Sequence, residues 1–149
     1  MPGAREYPDR PMVGVGGVVI LKGRALLIRR GGPPLEGQWS IPGGMLEVGE
    51  TLIEGVRREL SEETGVEVEV GKLIEVFERI NLDGAGKIRY HFVVLDYLCE
   101  AVRGEARAGS DVTDVAWAAA SELGSYSLTE TATRVILSAF AMARERDDR

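Results

Sequence analysis

Residues 44–66, with the sequence GMLEVGETLIEGVRRELSEETGV, decide both the fold and the chemistry of this chain. Thr51 followed by Glu54 has the spacing of a capping box, in which the two side chains satisfy the first backbone N–H groups of a helix. Good helix formers follow, and Gly65 stands where a left-handed C-terminal cap belongs. These signals predict a helix over residues 52–64.

Three carboxylates share one side of this predicted helix. Glu59, Glu62 and Glu63 stand at positions i, i+3 and i+4, which are neighbours on a helix surface. A carboxylate that approaches the buried face loses hydration unless it is paired or binds a metal ion, and a divalent cation would also relieve the mutual repulsion. Glu59 and Glu63 border the apolar stripe formed by Leu52, Ile53, Val56 and Leu60.

A solvated charged helix is the alternative interpretation. Glu54 with Arg58, and Arg58 with Glu62, have the i, i+4 spacing of surface ion pairs. The position of the glutamates argues against it, and so does the Pro-Gly-Gly sequence at residues 42–44, which predicts a loop that brings backbone close to another group. Helix N-termini and exposed backbone N–H groups attract phosphate.

The rest of the chain predicts a mixed α/β (α+β) fold. Apolar residues at helical spacing predict a last helix over about residues 127–144, with one face packed on the sheet. No linker or repeat divides the sequence, so we expect a single domain over residues 1–149, with flexible ends at about 1–11 and 144–149. Runs of β-branched and aromatic residues predict strands at 12–20, 25–28, 39–41, 66–80, 88–102 and 112–118.

Composition restricts the function class. The net charge of −6 disfavours nucleic acid as a partner, because such binding depends on Lys and Arg neutralising phosphates. Cys99 is the only cysteine, and no apolar stretch is long enough to span a bilayer or to resemble a signal peptide. We therefore expect a cytoplasmic protein that is neither exported nor membrane-embedded.

Residues 44–66 resemble the signature sequence of the Nudix family at every specified position. That signature is G-x5-E-x7-R-E-U-x-E-E-x-G-U, where U is aliphatic, and residues 37–44 resemble the usual lead-in to it. The resemblance implies a Nudix-type α/β/α sandwich with a mixed β-sheet. The matching residues are Gly44, Glu50, Arg58, Glu59, Leu60, Glu62, Glu63, Gly65 and Val66.

The resemblance also implies a metal site. Carboxylates matching Glu59, Glu62 and Glu63, together with the carbonyl matching Gly44, bind Mg²⁺ or Mn²⁺ in this family, as expected for hard cations. Residues matching Arg58 and Glu50 orient those acids.

Catalysis further requires a general base. The family takes it from the signature sequence, which points to Glu62, or from a later loop, which points to Asp111. Glu105 is a weaker alternative, and residues 103–111 could equally form a plain solvated loop.

Candidate substrate-binding residues lie before the signature. Arg29 and Arg30 could hold a phosphate or ribose, and the backbone of Gly43 could approach the ligand. Trp39 could stack on a base, although a tryptophan beside a proline loop more often fills the core. His91 lies within a predicted strand, and we expect it to be structural.

The resemblance favours hydrolysis of a phosphoanhydride bond in a small nucleoside diphosphate derivative. ADP-ribose or a related nucleoside diphosphate sugar comes first, and a MutT-like (d)NTP pyrophosphohydrolase is the alternative. A non-catalytic module that senses ADP-ribose or a nucleotide is an alternative of another class. A third possibility, an isomerase of isoprenoid diphosphates with the same fold, would need additional His and Cys residues as metal ligands. The strand over residues 88–102 could support a homodimer.

Overall fold

The computed structural model describes residues 5–33 and 35–147. Among these residues, no helix is both long and apolar enough to cross a membrane. The elements in chain order are strands β1 (Met12–Leu21), β2 (Arg24–Arg30), β3 (Trp39–Ser40) and β4 (Gly43–Met45), helix α1 (Leu52–Thr64), strands β5 (Glu67–Leu82), β6 (Ile88–Arg103) and β7 (Val112–Ala119), a 3₁₀ helix (Ala120–Tyr126) and helix α2 (Glu130–Asp147).

The seven described strands form one mixed sheet in the order β3-β2-β1-β6-β5, with β4 also paired to β1 and β7 to β2. β1 and β6 run parallel, whereas the other pairs are antiparallel. The hairpin of β1 and β2 and the long antiparallel pair of β5 and β6 confirm the strand predictions. β1 therefore lies at the centre, next to the element that carries Gly43 and Gly44.

The two helices cover opposite faces of the sheet. This arrangement is an α/β/α sandwich and confirms the predicted fold class. The core on the α1 side contains Val15, Val19, Leu26, Val56, Leu60, Val66, Val68 and Cys99. The core on the α2 side contains Val18, Leu27, Leu98 and Ala118 from the sheet and Val135, Ile136, Ala139 and Phe140 from the helix.

Helix α1 begins and ends where the sequence predicts. The Thr51 hydroxyl accepts a hydrogen bond from the backbone N–H of Glu54 at 3.1 Å. At the other end, Gly65 adopts a φ of 71° and donates its N–H to the Ser61 carbonyl. One side chain departs from the prediction: Ile53 is exposed, because the apolar stripe of the helix is narrower than its sequence suggests.

The Pro-Gly-Gly sequence is not only a loop, which corrects the prediction for residues 42–44. Gly43 and Gly44 belong to β4, which pairs with β1 through Gly16 and Val15. A Cβ atom on Gly43 would collide with the carbonyl oxygen of Val15. Glycine is therefore required here because the two backbones approach closely, and the segment is a short strand.

Helical structure and hydrogen bonds extend into the two chain ends for which the sequence predicts flexibility. Helix α2 continues to Asp147, past its predicted end near residue 144, and the 3₁₀ helix before it was not predicted. Near the amino terminus, the Tyr7 hydroxyl donates to Asp83 at 2.9 Å and its N–H donates to the Arg89 carbonyl at 2.7 Å. Residues 1–4 and 148–149 of the predicted flexible ends lie outside the described residues.

Candidate active site

The second half of α1, strand β4 and the loop before β7 surround one cavity that opens to solvent. We call it the acidic cavity, because Glu59, Glu62, Glu63 and Asp111 line it. Arg5, Arg30 and Arg58 also line it and supply positive charge beside the carboxylates. The structure thus brings the three signature glutamates together with the candidate acid of the later loop.

Glu63 lies deepest in this cluster, with 8% of its surface exposed. Its Oε1 accepts a hydrogen bond from the backbone N–H of Gly43 at 2.8 Å. Burial raises the pKa of Glu63 to about 7, and the negative charges of Glu59 and Asp111 act in the same direction, whereas the Gly43 N–H and Arg30 oppose them. The site therefore concentrates negative charge where hydration is weak, as a cation-binding site requires.

Arg58 organises the acids around it. Its Nε and Nη2 atoms donate to the two carboxylate oxygens of Glu50 at 2.6 and 2.9 Å, and its Nη1 atom donates to Glu59 at 2.8 Å. The hydrogen bonds from Arg58 lower the pKa of Glu50 to about 2. Burial raises the pKa of Glu59, although Arg58 opposes this shift. Glu50 and Arg58 are therefore an ion pair that positions Glu59.

Gly44 leaves room for the Glu59 carboxylate. A Cβ atom at Gly44 would lie 2.5 Å from all three atoms of that carboxylate group. Glu62 is more open, with 48% of its side chain exposed and one oxygen 3.4 Å from Nη1 of Arg58. Glycine at position 44 thus lets a backbone segment and a carboxylate share the wall of the acidic cavity.

The donor set of this cavity fits a divalent cation in chemistry and in charge. Mg²⁺ and Mn²⁺ prefer oxygen ligands, and Glu59, Glu62 and Glu63 supply them from one helix. In the side-chain positions described, no three Asp, Glu, His or Cys residues already form a coordination group. Glu63 instead accepts from Gly43, while Glu59 and Glu62 accept from Arg58, so these carboxylates would turn to bind a cation.

The loop before β7 is fastened to the end of α1 and to the start of the β2–β3 connection. The N–H of Gly109 donates to the Glu63 carbonyl at 3.0 Å, and the N–H of Gly31 donates to the Asp111 carbonyl at 2.7 Å. These contacts hold the exposed Asp111 at the acidic cavity. Glu105, the weaker alternative for a general base, is not among the residues that line it.

The four predicted substrate-binding residues occupy different positions relative to the acidic cavity. Arg29 is exposed and donates from Nε to the Gly37 carbonyl at 3.1 Å, away from the cavity. Trp39 packs edge-on against Tyr126 at 5.1 Å and adjoins the core on the α2 side, as expected for a tryptophan that fills the core. Gly43 lines the cavity, but its N–H already binds Glu63.

Arg30 is the predicted substrate residue that does reach the site. It lines the acidic cavity, and within residues 5–33 and 35–147 its buried Nε atom has no hydrogen-bond partner. A guanidinium donor of this kind is suited to a phosphate oxygen.

Residues 10–139 match the NUDIX domain family. The chain belongs to the Nudix hydrolase family. It is 35% identical over 104 residues to an ADP-ribose pyrophosphatase of Methanocaldococcus jannaschii, an alignment that covers 70% of this chain. It is 39% identical over 111 residues, or 74% of this chain, to a MutT-like protein of Streptomyces ambofaciens.

A solved Nudix structure supports the same assignment. The MutT NUDIX hydrolase from Burkholderia pseudomallei superimposes with a TM-score of 0.76 and 31% sequence identity, covering 87% of this chain and 98% of that one. The two relatives compared by sequence are longer: the aligned segment spans 59% of the archaeal protein and 65% of the Streptomyces protein.

Two features of this Nudix chain were not predicted from its sequence. Arg5 lines the acidic cavity, in a segment held by the Tyr7 contacts. A second cavity adjoins the first and shares Arg5, Arg30, Gly43, Gly44 and Met45 with it. We call it the sheet cavity; it is lined on its strand side by Phe77, Arg79, Phe92, Val94 and Asp96. The sequence feature that could have indicated this cavity is Asp96, an aspartate within the apolar run of residues 92–99.

Proposed function

We propose that this protein is a Mg²⁺- or Mn²⁺-dependent pyrophosphohydrolase that cleaves the phosphoanhydride bond of a nucleoside diphosphate derivative. The observation that carries the proposal is the convergence of Glu59, Glu62 and Glu63 on one cavity, with Arg58 holding Glu59 in place. ADP-ribose or a related nucleoside diphosphate sugar is the first substrate candidate, since the archaeal relative is named for hydrolysis of ADP-ribose.

Glu59, Glu62, Glu63 and the Gly44 carbonyl would hold the cation. When bound, it would neutralise diphosphate charge and lower the pKa of a water molecule. The chain itself would bind the substrate phosphates with Arg30 and Arg5, which line the same cavity. Their positive charge would offset the net charge of −6, which otherwise repels an anionic substrate.

The general base has two candidates in the acidic cavity. Glu62 is half exposed and lies on α1, and Asp111 is exposed and lies on the loop before β7. Either can accept a proton from a water molecule between them and the substrate phosphorus. The pH–rate profiles of Glu62→Gln and Asp111→Asn distinguish the two candidates. Substitution of the general base should remove the acid limb of the profile, whereas substitution of the other residue should leave that limb in place.

The joined cavities match an extended substrate. The acidic cavity is polar and suits the diphosphate, while the sheet cavity has apolar walls and suits a nucleoside or sugar end. A substrate with a diphosphate in its middle would occupy both.

A (d)NTP is the second substrate candidate, supported by similarity to proteins described as MutT-like. A sensing module without catalysis is the alternative of another class. A pure sensor would not need the buried, mutually repelling pair of Glu59 and Glu63, which costs stability unless it serves a purpose. Homodimer formation, lack of nucleic-acid binding and a cytoplasmic location remain predictions from the sequence.

Product analysis tests the proposal. Purified protein would be incubated with ADP-ribose, other nucleoside diphosphate sugars, dinucleotides and (d)NTPs, with Mg²⁺, with Mn²⁺ or with chelator. We expect cation-dependent release of AMP and ribose 5-phosphate from ADP-ribose, loss of turnover in Glu63→Gln, and full turnover in Glu54→Gln, an exposed glutamate at the other end of α1. Turnover that persists in chelator or in Glu63→Gln would overturn the metal-dependent mechanism.

A further inference from the structure

The sheet cavity lies over Gly14 and Gly16, the part of β1 that has no side chains on the face that α2 covers. Gly14 and Gly16 pair with Val94 and Asp96 of β6, so all four residues share that face. At Gly14 a Cβ atom would make only ordinary contacts, the nearest at 3.6 Å to a methyl group of Val94. At Gly16 a Cβ atom would collide with the carboxylate of Asp96. Glycine at position 16 thus admits a carboxylate to the floor of the cavity.

Asp96 lies outside the acidic cavity that holds the candidate catalytic residues. Only 3% of its surface is exposed, and it lines the sheet cavity. Among residues 5–33 and 35–147, no donor forms a hydrogen bond with its side chain; Arg79 and Arg30 act on it only through longer-range charge. A carboxylate this deeply buried is normally paired, so an unpaired one facing a cavity indicates a ligand that donates hydrogen bonds.

Arg79 provides the complementary donors. It lies on β5 opposite Phe92, it is half buried, and it lines the same cavity as Asp96. Burial lowers its pKa, whereas the charge of Asp96 opposes that shift. The floor of the cavity therefore offers an acceptor and a set of donors on neighbouring strands.

The remaining strand-side walls are flat and apolar. Phe77 lies opposite Val94 in the β5–β6 pairing, and Phe92 lies opposite Arg79, so both rings border the two charged groups. Aromatic and aliphatic walls around a few polar groups favour a planar heterocycle over a sugar, because a sugar would leave its hydroxyls unpaired against them.

We propose that the sheet cavity binds the nucleobase of the substrate, with Asp96 accepting from an N–H group of the base edge and Arg79 donating to a ring nitrogen or carbonyl oxygen. This inference rests on the proposed function, since it assigns the nucleoside end of that substrate to this cavity and the diphosphate to the acidic cavity. It makes Asp96 and Arg79 the residues that determine base specificity.

Binding of nucleoside monophosphates without divalent cations tests the assignment separately from hydrolysis. Ligands would be titrated in chelator and followed by NMR shifts, using AMP, GMP, CMP, UMP, purine riboside 5′-monophosphate and ribose 5-phosphate. We expect at least one of the four common nucleotides to bind at least about tenfold more tightly than ribose 5-phosphate. Purine riboside 5′-monophosphate has no N–H on its base edge and should bind at least about tenfold more weakly than the best purine nucleotide.

Substitution of Asp96 and Arg79 provides the second part of this binding test. Asp96→Asn and Arg79→Met should each weaken the best nucleotide by about tenfold or more, while ribose 5-phosphate binding stays unchanged. Arg103→Met removes an exposed β6 arginine outside the cavity and serves as the matched control. Arg79→Met and the ligand series keep the test valid if Asp96→Asn does not fold.

The two proposals fail in different ways. Equal binding of ribose 5-phosphate and all nucleotides, or wild-type nucleotide affinity in both variants, would overturn the nucleobase assignment even if the protein hydrolyses ADP-ribose. Nucleotide binding that depends on Asp96 and Arg79, in a protein that hydrolyses nothing in the substrate panel, would support the nucleobase assignment and remove the proposed hydrolytic function.

Discussion

The Arg58 guanidinium holds the Glu50 carboxylate through two parallel hydrogen bonds, from Nε at 2.6 Å and from Nη2 at 2.9 Å. Nη2 also donates to the Met45 carbonyl at 2.9 Å, and Nη1 donates to Glu59 at 2.8 Å. A single side chain thus joins β4, the turn before α1 and the acidic cavity. Planar, two-pronged geometry of this kind cannot be supplied by an ammonium group.

Arg58→Lys is therefore expected to lower activity although it preserves charge. Loss of the paired hydrogen bonds would free Glu50 and Glu59, and removal of such supporting contacts typically costs about 10- to 100-fold in activity or metal affinity. Steady-state kinetics on the best substrate measure the effect. Arg57→Lys, at the exposed neighbouring position, is the control. Wild-type kcat/KM in Arg58→Lys would show that Arg58 has no positioning role.

Gly44→Ala is expected to separate activity from folding. The added methyl group would meet the end of the Glu59 side chain, which can move, rather than fixed backbone. We expect a Tm close to that of wild type and a loss of about tenfold or more in turnover, because Glu59 would be displaced. Gly124→Ala, which adds a methyl group in open space, should change neither quantity. Full activity in Gly44→Ala would contradict the close contact with Glu59.

Asp96 should make stability depend on pH. Burial raises its pKa from 3.8 to about 7, so between these pH values the folded chain binds a proton that the unfolded chain releases. The free energy of unfolding should therefore fall as pH rises from about 4 to 7. Asp96→Asn removes this term. The difference in unfolding free energy between Asp96→Asn and wild type should therefore shift by about 2–4 kcal/mol in favour of Asp96→Asn when the pH is raised from 5 to 8.

Urea denaturation in chelator at the two pH values measures this difference. Glu63, whose pKa burial also raises, is present in both proteins and cancels in the comparison. Parallel stability profiles for wild type and Asp96→Asn would show that Asp96 keeps an ordinary pKa in the folded chain.

Arg5→Ala tests whether the amino-terminal segment contributes to the site. Arg5 lines both cavities, and its charge opposes the rise in the pKa of Glu59. We expect kcat/KM to fall by up to about tenfold, most strongly at low salt, with little change in Tm. Arg10→Ala, which removes an exposed arginine that pairs with Asp9, is the control. Identical salt profiles for both variants would exclude a role for Arg5.

The sequence predicted those helices and strands whose formation depends mainly on residues close together in the chain. The bounds of α1 follow from the Thr51 cap and the Gly65 turn, and the long pair of β5 and β6 follows from β-branched runs. Strand β4 was missed because its pairing with β1 joins residues that are far apart in sequence, and Gly43 has no strand preference of its own. The helical periodicity also predicted that Ile53 belongs to the buried face of α1, whereas this side chain is exposed.

The acidic cavity was more predictable than the sheet cavity for a physical reason. Spacing along one helix places Glu59, Glu62 and Glu63 together, so their proximity can be derived from the sequence. The sheet cavity depends on the register among β1, β5 and β6, which brings Asp96 and Arg79 together. Tertiary contacts likewise decided that Trp39 packs against Tyr126.

Direct binding of Mn²⁺, followed by electron paramagnetic resonance, tests most directly whether the α1 glutamates form a divalent-cation site. Wild type, Glu63→Gln and the exposed-site control Glu54→Gln would be titrated with and without AMP. We expect saturable binding in wild type and Glu54→Gln, and affinity at least about tenfold weaker in Glu63→Gln, because a buried ligand is lost. Equal Mn²⁺ affinity in all three proteins, or no saturable binding in wild type, would contradict the metal site and the hydrolytic mechanism built on it.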